Sequence, residues 1–312
     1  MDKVKCFEMT MKKWIVRIEG GLGNQMFQYA HARKLQALYG GSIVLDIHAF
    51  NKKQIRQLSL NNFLLNENVK MESFKDRFLY IPYILISKIC DRIYPIKNLA
   101  RYRKLGRLGL LRQYQIRSYD SAVKPITGLG YVTGNWLSDK FFIEASDTVK
   151  KELKVKSTIS QTSQSTYDEI RDCEAVCIHI RLGDYLHERW RDKLFICDNN
   201  YYNRAISEIK QKVKNPVFFV FSNRHKDFEM IQKDYHFDAP VKYVDLGNPD
   251  YEDLRLMYTC KHFIMSNSTY SWWAQNLCDN PNKVVIAPSR FNNYPDWDMQ
   301  DIYQSNWTIV EV

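Results

Sequence analysis

Three short segments of the sequence place charged, hydroxyl or glycine residues at the point where an apolar run ends. One of them, His179–Tyr185, reads His-Ile-Arg-Leu-Gly-Asp-Tyr and continues the apolar run that begins at Ala175. Alternation along a strand puts His179 and Arg181 on the same face, directly before a glycine turn. A guanidinium is permanently charged and forms paired hydrogen bonds with phosphate oxygens. The segment therefore predicts an anion site at Arg181, with an ion pair to Asp184 as the purely structural alternative.

A glycine-rich loop, Gly20–Gln25, follows the first apolar run, Trp14–Ile18. Glycines let a ligand approach the backbone, and the helical spacing after the loop places free amide groups there. Two of the glycines, with Asp46 about twenty residues further on, match part of the dinucleotide-binding fingerprint. Met26 stands where the third glycine belongs, which weakens that interpretation. A tight turn with Asn24 as the helix N-cap is the structural alternative.

The third segment, Ser266–Ser271, places five small polar residues directly after an apolar run that ends at Met265. Serine, threonine and asparagine side chains cap helix starts, and the free amides of such a helix bind phosphate. A cap needs one or two of these residues, so five indicate a ligand as well. The pair Trp272 and Trp273 that follows is expected to pack in the core.

Apolar runs and helical stretches alternate along the chain, which predicts an α/β fold with two parallel-sheet domains facing across a cleft. The predicted domains cover residues 12–156 and 166–312, and the polar stretch Ser157–Ser165 is expected to join them as a linker or exposed loop. Residues 50–80 are predicted to form mixed loops and short helices. Ligands of open α/β sheets bind at the carboxyl ends of strands, where the three segments lie. The predicted strands are Trp14–Ile18, Ser42–Asp46, Ala175–Ile180, Val217–Phe221, Val241–Val244, His262–Met265 and Val284–Ala287.

The composition is that of a globular protein with an excess of positive charge. The 312 residues carry 45 Lys and Arg against 35 Asp and Glu, a formal net charge of +10, and this excess favours anionic partners. Nine basic residues and one acid lie within residues 88–117, which predicts either contact with anionic lipid or a solvated helical face. The most apolar window, Phe78–Ile89, is too short to span a membrane.

Cysteine usage and the amino-terminal sequence indicate the cellular compartment in which the protein is expected. Seven cysteines without a Cys-x-x-Cys pair disfavour both a disulfide framework and a structural zinc site. No apolar signal sequence precedes Trp14. The chain is therefore expected to be cytoplasmic, with peripheral contact to the inner face of the membrane if residues 88–117 bind lipid.

Taken together, the three segments resemble those of the α-1,2-fucosyltransferases of glycosyltransferase family 11. The resemblance rests on Gly20–Ala30 (GGLGNQMFQYA), His179–Tyr185 (HIRLGDY) and Ser266–Trp273 (SNSTYSWW), in that order. It implies a GT-B-like architecture of two Rossmann-like domains, with the acceptor on the amino-terminal side. It also implies an enzyme that transfers L-fucose from GDP-fucose to the 2-hydroxyl of a terminal galactose, with inversion, no metal and no further cofactor.

The same resemblance implies roles for individual residues. Arg181 would grip the donor diphosphate, His179 would lie beside the nucleotide, and Asp253 would accept the N–H groups of guanine. The family motif usually has a second arginine where this chain has Leu182, and alternation points residue 182 away from residue 181. Phosphate and ribose contacts are implied for Asn267, Ser268, Thr269 and Ser271, and a place in the acceptor-side loop for Gly21, Gly23, Asn24 and Gln25.

Such a transfer requires that the charge on the departing GDP be stabilised, because GDP then leaves without a strong general acid. If no metal takes part, Arg181 and a helix amino terminus would supply that stabilisation. A carboxylate would accept the proton of the acceptor hydroxyl. Asp184 is the first choice over Glu188 and Asp46, because its motif places it near the donor.

Three other functions remain open on the sequence. The motif Asp296-Trp297-Asp298 has the Asp-x-Asp form of metal-dependent transferases. A NAD-type oxidoreductase would use the glycine loop and Asp46, but it leaves Arg181 and the serine-rich turn without a role. A basic protein that binds lipid or nucleic acid without catalysis would rest on the net charge alone, and nucleic acid is not an expected partner.

Overall fold

The computed structural model describes residues 12–51, 56–93, 99–113, 125–126, 128–295 and 299–312. The chain divides into two compact units. The first extends to Glu152 apart from Ser59–Leu64, and the second comprises that short segment and Leu153–Val312. Each unit contains one parallel β-sheet with helices packed on it, which confirms the predicted α/β class with two parallel sheets.

The first unit is built on a five-stranded sheet in the order β3-β2-β1-β5-β4, with neighbouring strands parallel. Helix α1 joins β1 to β2, and α2, at 20 residues, is longer than the short helices predicted for this region. The strands are β1 (Lys13–Arg17), β2 (Ser42–Asp46), β3 (Val69–Met71), β4 (Leu110–Arg112) and β5 (Leu129–Thr133). The helices are α1 (Leu22–Tyr39), α2 (Phe74–Ile93), α3 (Leu99–Arg107) and α4 (Ser146–Glu152).

Helices α2 and α3 cover one face of this sheet. Ile15, Val44 and Tyr131 stand in register on three adjacent strands, and together with Tyr80 of α2 they form a buried cluster. Leu105 of α3 packs against the same cluster. This packing fixes which side of α2 faces the protein.

The second unit is built on a six-stranded parallel sheet in the order β11-β10-β9-β6-β7-β8. The strands predicted for this half of the chain are confirmed, and β11 was not predicted. The strands are β6 (Glu174–His179), β7 (Pro216–Phe221), β8 (Val241–Tyr243), β9 (His262–Ile264), β10 (Val285–Pro288) and β11 (Thr308–Val310). The helices are α5 (Gln161–Arg171), α6 (Arg191–Leu194), α7 (Asn199–Lys212), α8 (His225–Asp234), α9 (Asp250–Thr259) and α10 (Thr269–Leu277).

The polar stretch Ser157–Ser165, predicted as a linker or exposed loop, is partly helical. Ser160 is the N-cap of α5, and its Oγ accepts the backbone N–H of Ser163 at 3.2 Å. The division between the units accordingly lies before this stretch, at Glu152 rather than at residue 156. Serine-rich composition suggested a loop, whereas the hydroxyl groups here satisfy the start of a helix.

Each unit gathers polar residues at the carboxyl edge of its own sheet. In the second unit β6 lies between β9 and β7, with Ile178 opposite Ile264 and His179 opposite Phe221. The residues that follow these three strands therefore emerge side by side. In the first unit Arg17, at the end of β1, lies opposite Asp46, at the end of β2.

Across the described ranges, no helix is both long and apolar enough to cross a membrane. Nor do those ranges contain a group of three or more His, Cys, Asp or Glu side chains placed to hold a metal ion. The Asp296–Asp298 motif lies outside the described residues.

Candidate functional site

Arg181 follows β6 by two residues and lies at the start of a short turn. Its guanidinium pairs with the carboxylate of Asp184, so the predicted turn-closing ion pair is present. The guanidinium carbon also lies 5.2 Å from the centre of the Tyr185 ring. The Arg181 side chain is 11% exposed, and its Nε has no hydrogen-bond partner among the described residues. A held guanidinium with an unused N–H is suited to bind an anion.

His179 ends β6 and is buried directly behind this turn. Its Nδ1 lies 2.8 Å from the Ser266 Oγ, and its ring lies 5.5 Å from the ring of Tyr270. Burial, with a smaller effect from the charge on Arg181, lowers the pKa of His179 to about 3. The ring is therefore neutral at physiological pH, and it ties the end of β6 to the serine-rich turn.

The Ser266–Ser271 turn is held by hydrogen bonds among its own residues. Ser268 is the N-cap of α10, and its Oγ accepts the backbone N–H of Tyr270 at 3.2 Å. The Ser271 hydroxyl lies 3.1 Å from the carbonyl oxygens of both Ser266 and Ser268. Thr269, the first residue of α10, is half-buried. The turn thus presents the start of a helix, where amide groups and the helix dipole favour negative charge.

The side chain of Asn267 is hydrogen-bonded within the protein. Its amide nitrogen donates to the carbonyls of Leu194, at 2.8 Å, and Phe291, at 2.9 Å. The Asn267 side chain is also buried. A contact between this amide and a donor substrate would require these bonds to break, so its evident contribution is to hold the turn in place.

Asp253 lies in the first turn of α9 and is half-buried. The Asn248 side-chain amide donates to its carboxylate at 3.0 Å. Burial, together with the smaller effects of the Asp250 and Glu252 charges, raises the pKa of Asp253 to about 7, against the lowering effect of the Asn248 hydrogen bond. The Tyr270 hydroxyl donates to the Asp250 carbonyl, which links the start of α9 to the start of α10. Asp253 therefore lies near the serine-rich turn as a carboxyl that titrates in the neutral range.

Arg224 is a residue that the sequence reasoning missed. It follows β7 and immediately precedes α8, and its guanidinium donates to the Asp227 carboxylate at 2.8 Å. A Cβ added at Gly183 would lie 3.7 Å from the Arg224 Nη2, so this guanidinium lies beside the turn that holds Arg181. The available signal was the one used for Arg181, a charged residue shortly after an apolar strand.

Leu182 stands where the family motif usually has its second arginine, and it carries no charge. Its side chain is 2% exposed and belongs to the apolar core of the second unit. The expectation that residue 182 points away from residue 181 is therefore confirmed. Arg224, which is 60% exposed at its side chain, provides the second guanidinium near the turn.

Helix α1 begins three residues earlier than it would with Asn24 as its N-cap. Helix α1 starts at Leu22 with Gly21 as the N-cap, so Asn24 is not the cap. Gln25 is buried, and its Nε2 donates to the carbonyls of Gly20, at 3.0 Å, and Gln57, at 2.8 Å. Gly23 is buried in the first turn of the helix. A Cβ at Gly21 would contact nothing within 4 Å, so the backbone there is open to a ligand.

A cavity of about 710 Å³ lies at the carboxyl edge of the first sheet. Asp46 lies in its wall, 2% exposed, and accepts hydrogen bonds from the Tyr131 hydroxyl at 3.0 Å and the His48 backbone N–H at 3.0 Å. The Tyr80 hydroxyl lies 3.2 Å from the Asp46 carboxylate and is shared with the carboxylate of Glu72. The polar residues of the wall that the sequence reasoning did not assign are Arg17, Glu19, His48 and Asn135. Aromatic rings beside hydrogen-bonding groups are typical of sites for small polar ligands.

Comparison with known proteins gives a family. The model described as glycosyl transferase family 11 matches residues 15–311, which confirms the family indicated by the three motifs. An alpha-1,2-colitosyltransferase of Escherichia coli is 26% identical, over 95% of this chain and 98% of the relative. The galactoside alpha-(1,2)-fucosyltransferase 1 of Mus musculus is 23% identical, over 85% of this chain and 63% of the relative.

A solved structure resembles the fold. The fucosyltransferase NodZ from Bradyrhizobium matches with a TM-score of 0.52 and 16% identity, over 85% of this chain and 92% of that chain. At this identity the likeness concerns the fold alone. The family match argues against the oxidoreductase and the non-catalytic binder, because it covers the glycine loop, Arg181 and the serine-rich turn in one glycosyltransferase.

Proposed function

Because the chain belongs to glycosyl transferase family 11, we propose that it transfers L-fucose from GDP-fucose to the 2-hydroxyl of a terminal galactose. The transfer inverts the anomeric centre and uses no metal. The observation that carries the proposal is the convergence of Arg181, Arg224, Asp253 and the start of α10 at one sheet edge of the second unit. Relatives that include a galactoside alpha-(1,2)-fucosyltransferase support the choice of sugar and linkage.

Arg181 stabilises the charge that develops on the leaving diphosphate. Its guanidinium is already oriented by Asp184 and Tyr185, so little reorganisation accompanies the reaction. The dipole at the start of α10 adds positive potential, and Arg224 supplies a second cation. His179 supports this arrangement from behind through Ser266.

Asp253 recognises the guanine base. A guanine edge offers N–H donors, and an ionised carboxylate accepts them. Burial raises the pKa of Asp253, and guanine binding would favour its ionised form.

The cavity of the first unit binds the acceptor galactose. Its wall offers the carboxylate of Asp46, the Arg17–Glu19 pair at 2.8 Å and the ring of Tyr131, which suit sugar hydroxyls and an apolar sugar face. Gly21 and its neighbours in the loop lie after β1 at the same sheet edge. In this arrangement the second unit holds the donor and the first unit holds the acceptor.

Asp46 and Asp184 are both candidates for the proton acceptor, and their contacts differ. The carboxylate of Asp184 is paired with the Arg181 guanidinium, so its contacts favour a role in holding that guanidinium. Asp46 lies in a cavity wall and is oriented by two tyrosine hydroxyls. We therefore assign Asp184 to the positioning of Arg181 and Asp46 to the abstraction of the acceptor proton.

A second candidate donor is GDP-colitose. One relative that matches nearly the full length of this chain is an alpha-1,2-colitosyltransferase. Colitose is L-fucose without its 3-hydroxyl. A site that hydrogen-bonds this hydroxyl rejects the sugar that lacks it, whereas a site that surrounds it with apolar groups discriminates weakly.

The proposal is tested by incubating the full chain with GDP-fucose or GDP-colitose and a panel of β-galactosides, followed by linkage analysis of the product. We expect an α-1,2-linked L-fucosyl galactoside, formed equally in the presence of EDTA. Release of GDP without transfer to any galactoside would contradict the acceptor. Activity that EDTA abolishes and Mn²⁺ restores would contradict the metal-free mechanism.

A further inference from the structure

Helix α2 carries a broad apolar face on the side opposite the sheet. Tyr80 is buried against the sheet, and Tyr83 and Ile84 pack on the same cluster. Six large apolar residues around the other side of the helix are between 41% and 62% exposed. They are Phe78, Leu79, Ile81, Leu85, Ile86 and Ile89.

The spacing makes this a continuous face. At 100° per residue, Phe78, Leu85 and Ile89 align along the helix, with Leu79 and Ile86 on one flank and Ile81 on the other. We call these six residues the outer face of α2. An exposed apolar surface of this extent indicates an interaction site, because scattered single residues do not align in this way.

Exposed basic residues lie on α2 and on α3. Residues 88–117 contain nine basic residues and one acid. Of these, Lys88 at the end of α2 and Lys104 and Arg107 on α3 are exposed. Helix α3 packs through Leu105 on the same sheet face as α2, so the basic residues and the apolar residues lie on the same side of the first unit.

This charge distinguishes between two occupants of the outer face. A second copy of the chain would bring the same excess of basic residues against the first, and like charges at an interface are unfavourable. An anionic bilayer offers both an apolar interior for the outer face and negative headgroups for the basic residues. The combination of an apolar helix face and flanking Lys and Arg residues is typical of helices that lie in the membrane interface.

We propose that α2 lies along the surface of an anionic membrane, with its outer face inserted and the basic residues of α3 on the headgroups. This contact would hold the first unit on the membrane surface through a helix that lies in the interface.

The membrane contact also affects where an acceptor substrate could bind, and this step rests on the proposed function. Ile84 and Lys88 of α2 also line the cavity of the first unit. The helix that rests on the bilayer thus forms part of the wall of the acceptor site. An acceptor sugar carried on a lipid would meet this site at the membrane surface.

Co-sedimentation of the full chain with lipid vesicles tests the membrane contact. We expect binding to phosphatidylcholine vesicles that contain phosphatidylglycerol and little binding to phosphatidylcholine alone. The double variant Leu85→Ser, Ile89→Ser should bind about tenfold or more weakly, because two inserted side chains are lost. The matched control Ile143→Ser, Ile309→Ser removes two exposed isoleucines outside α2 and should bind as the unaltered chain does.

A second pair of variants tests the charge. Lys104→Glu with Arg107→Glu should weaken binding to phosphatidylglycerol vesicles by about tenfold or more, whereas Lys70→Glu with Lys151→Glu, at exposed positions of the same unit, should have little effect. Circular dichroism melts check that each variant folds.

Three results would overturn the proposal. They are equal binding by the α2 variant and its control, equal binding to neutral and anionic vesicles, and a dimer by light scattering that the α2 variant converts to a monomer. Transfer to a water-soluble galactoside should be unchanged in the α2 variant. A failure of the membrane contact therefore leaves that activity intact, and a failure of the proposed function leaves vesicle binding intact.

Discussion

The two units place polar residues at the same end of their parallel sheets but assemble these sites in different ways. In the second unit, Arg181 and the Ser266–Ser271 turn come from two contiguous segments that bond largely to their own neighbours. In the first unit, Asp46 is held by Tyr80 and Tyr131, which come from a helix and another strand. A diphosphate requires charge at a fixed point, which a short motif can supply. A neutral sugar requires a shaped cavity, which depends on tertiary packing.

The largest effect should come from removing the charge of the donor site. Arg181→Ala should lower kcat by about 10²–10³, because one preorganised donor to the leaving group is lost. Steady-state kinetics with GDP-fucose and a β-galactoside measures this. Arg181→Lys should recover only part of the rate, because an ammonium cannot form the paired hydrogen bonds of a guanidinium.

The melting temperature of Arg181→Ala should stay near that of the unaltered chain, because the Arg181–Asp184 pair lies at a turn where Asp184 is half exposed. Unaltered turnover in this variant would remove the basis for assigning the donor to the second unit.

The corresponding test of the first unit is Asp46→Asn. The amide retains an acceptor oxygen for the tyrosine hydroxyls but cannot take a proton, so kcat should fall by about 10². Affinity for GDP, measured by calorimetry, should not change, because Asp46 lies in the other unit.

Asp184→Asn should instead raise the KM for the donor, since it releases Arg181. A loss of kcat in Asp184→Asn with Asp46→Asn fully active would return the proton-acceptor role to Asp184.

A smaller effect is expected at Arg224, which we place at the edge of the donor site. Arg224→Ala should raise the KM for GDP-fucose by about tenfold, the size typical of one hydrogen bond to a charged group. Lys226, exposed in the first turn of the adjacent helix, gives the matched control: Lys226→Ala also removes one positive charge and should leave KM unchanged. Equal effects in the two variants would mean that Arg224 acts only through net charge.

The comparison of the units also explains what could be predicted from the sequence. Most strands and the segments of the proposed donor site could be predicted, because glycine, arginine and hydroxyl residues directly follow apolar runs there. The cavity around Asp46 was not, because Tyr80 and Tyr131 are 51 residues apart in the sequence and meet only through packing of α2 on the sheet. Asn267 illustrates the same limit: its residue type predicts a ligand contact, but the bonds from its side-chain amide to the Leu194 and Phe291 carbonyls depend on the fold.

The smallest effect near neutral pH should be a pH dependence of GDP-fucose affinity that is confined to the donor site. Burial is the main cause that raises the pKa of Asp253 to about 7, and only the ionised carboxylate offers one acceptor oxygen to each of two N–H groups of guanine. Affinity for GDP-fucose should therefore be constant above pH 8 and fall below pH 7, approaching tenfold for each further pH unit. GDP-fucose is the appropriate ligand because its diphosphate is esterified at both ends and does not titrate in this range.

The variant Asp253→Asn separates this effect from other titrations. It should bind GDP-fucose weakly at every pH and show no pH dependence near 7. The free energy of unfolding gives an independent readout. It should fall as pH rises, whereas the affinity for GDP-fucose should rise. Between the ordinary pKa of 3.8 and the native value of about 7, the folded chain holds a proton that the unfolded chain has released, so this carboxyl makes the fold less stable as pH rises through that window. Urea unfolding at pH 5 and pH 8 should show a difference that is smaller in Asp253→Asn. An unchanged difference in that variant would mean that Asp253 is ionised throughout, and the pH dependence of binding would then require another group.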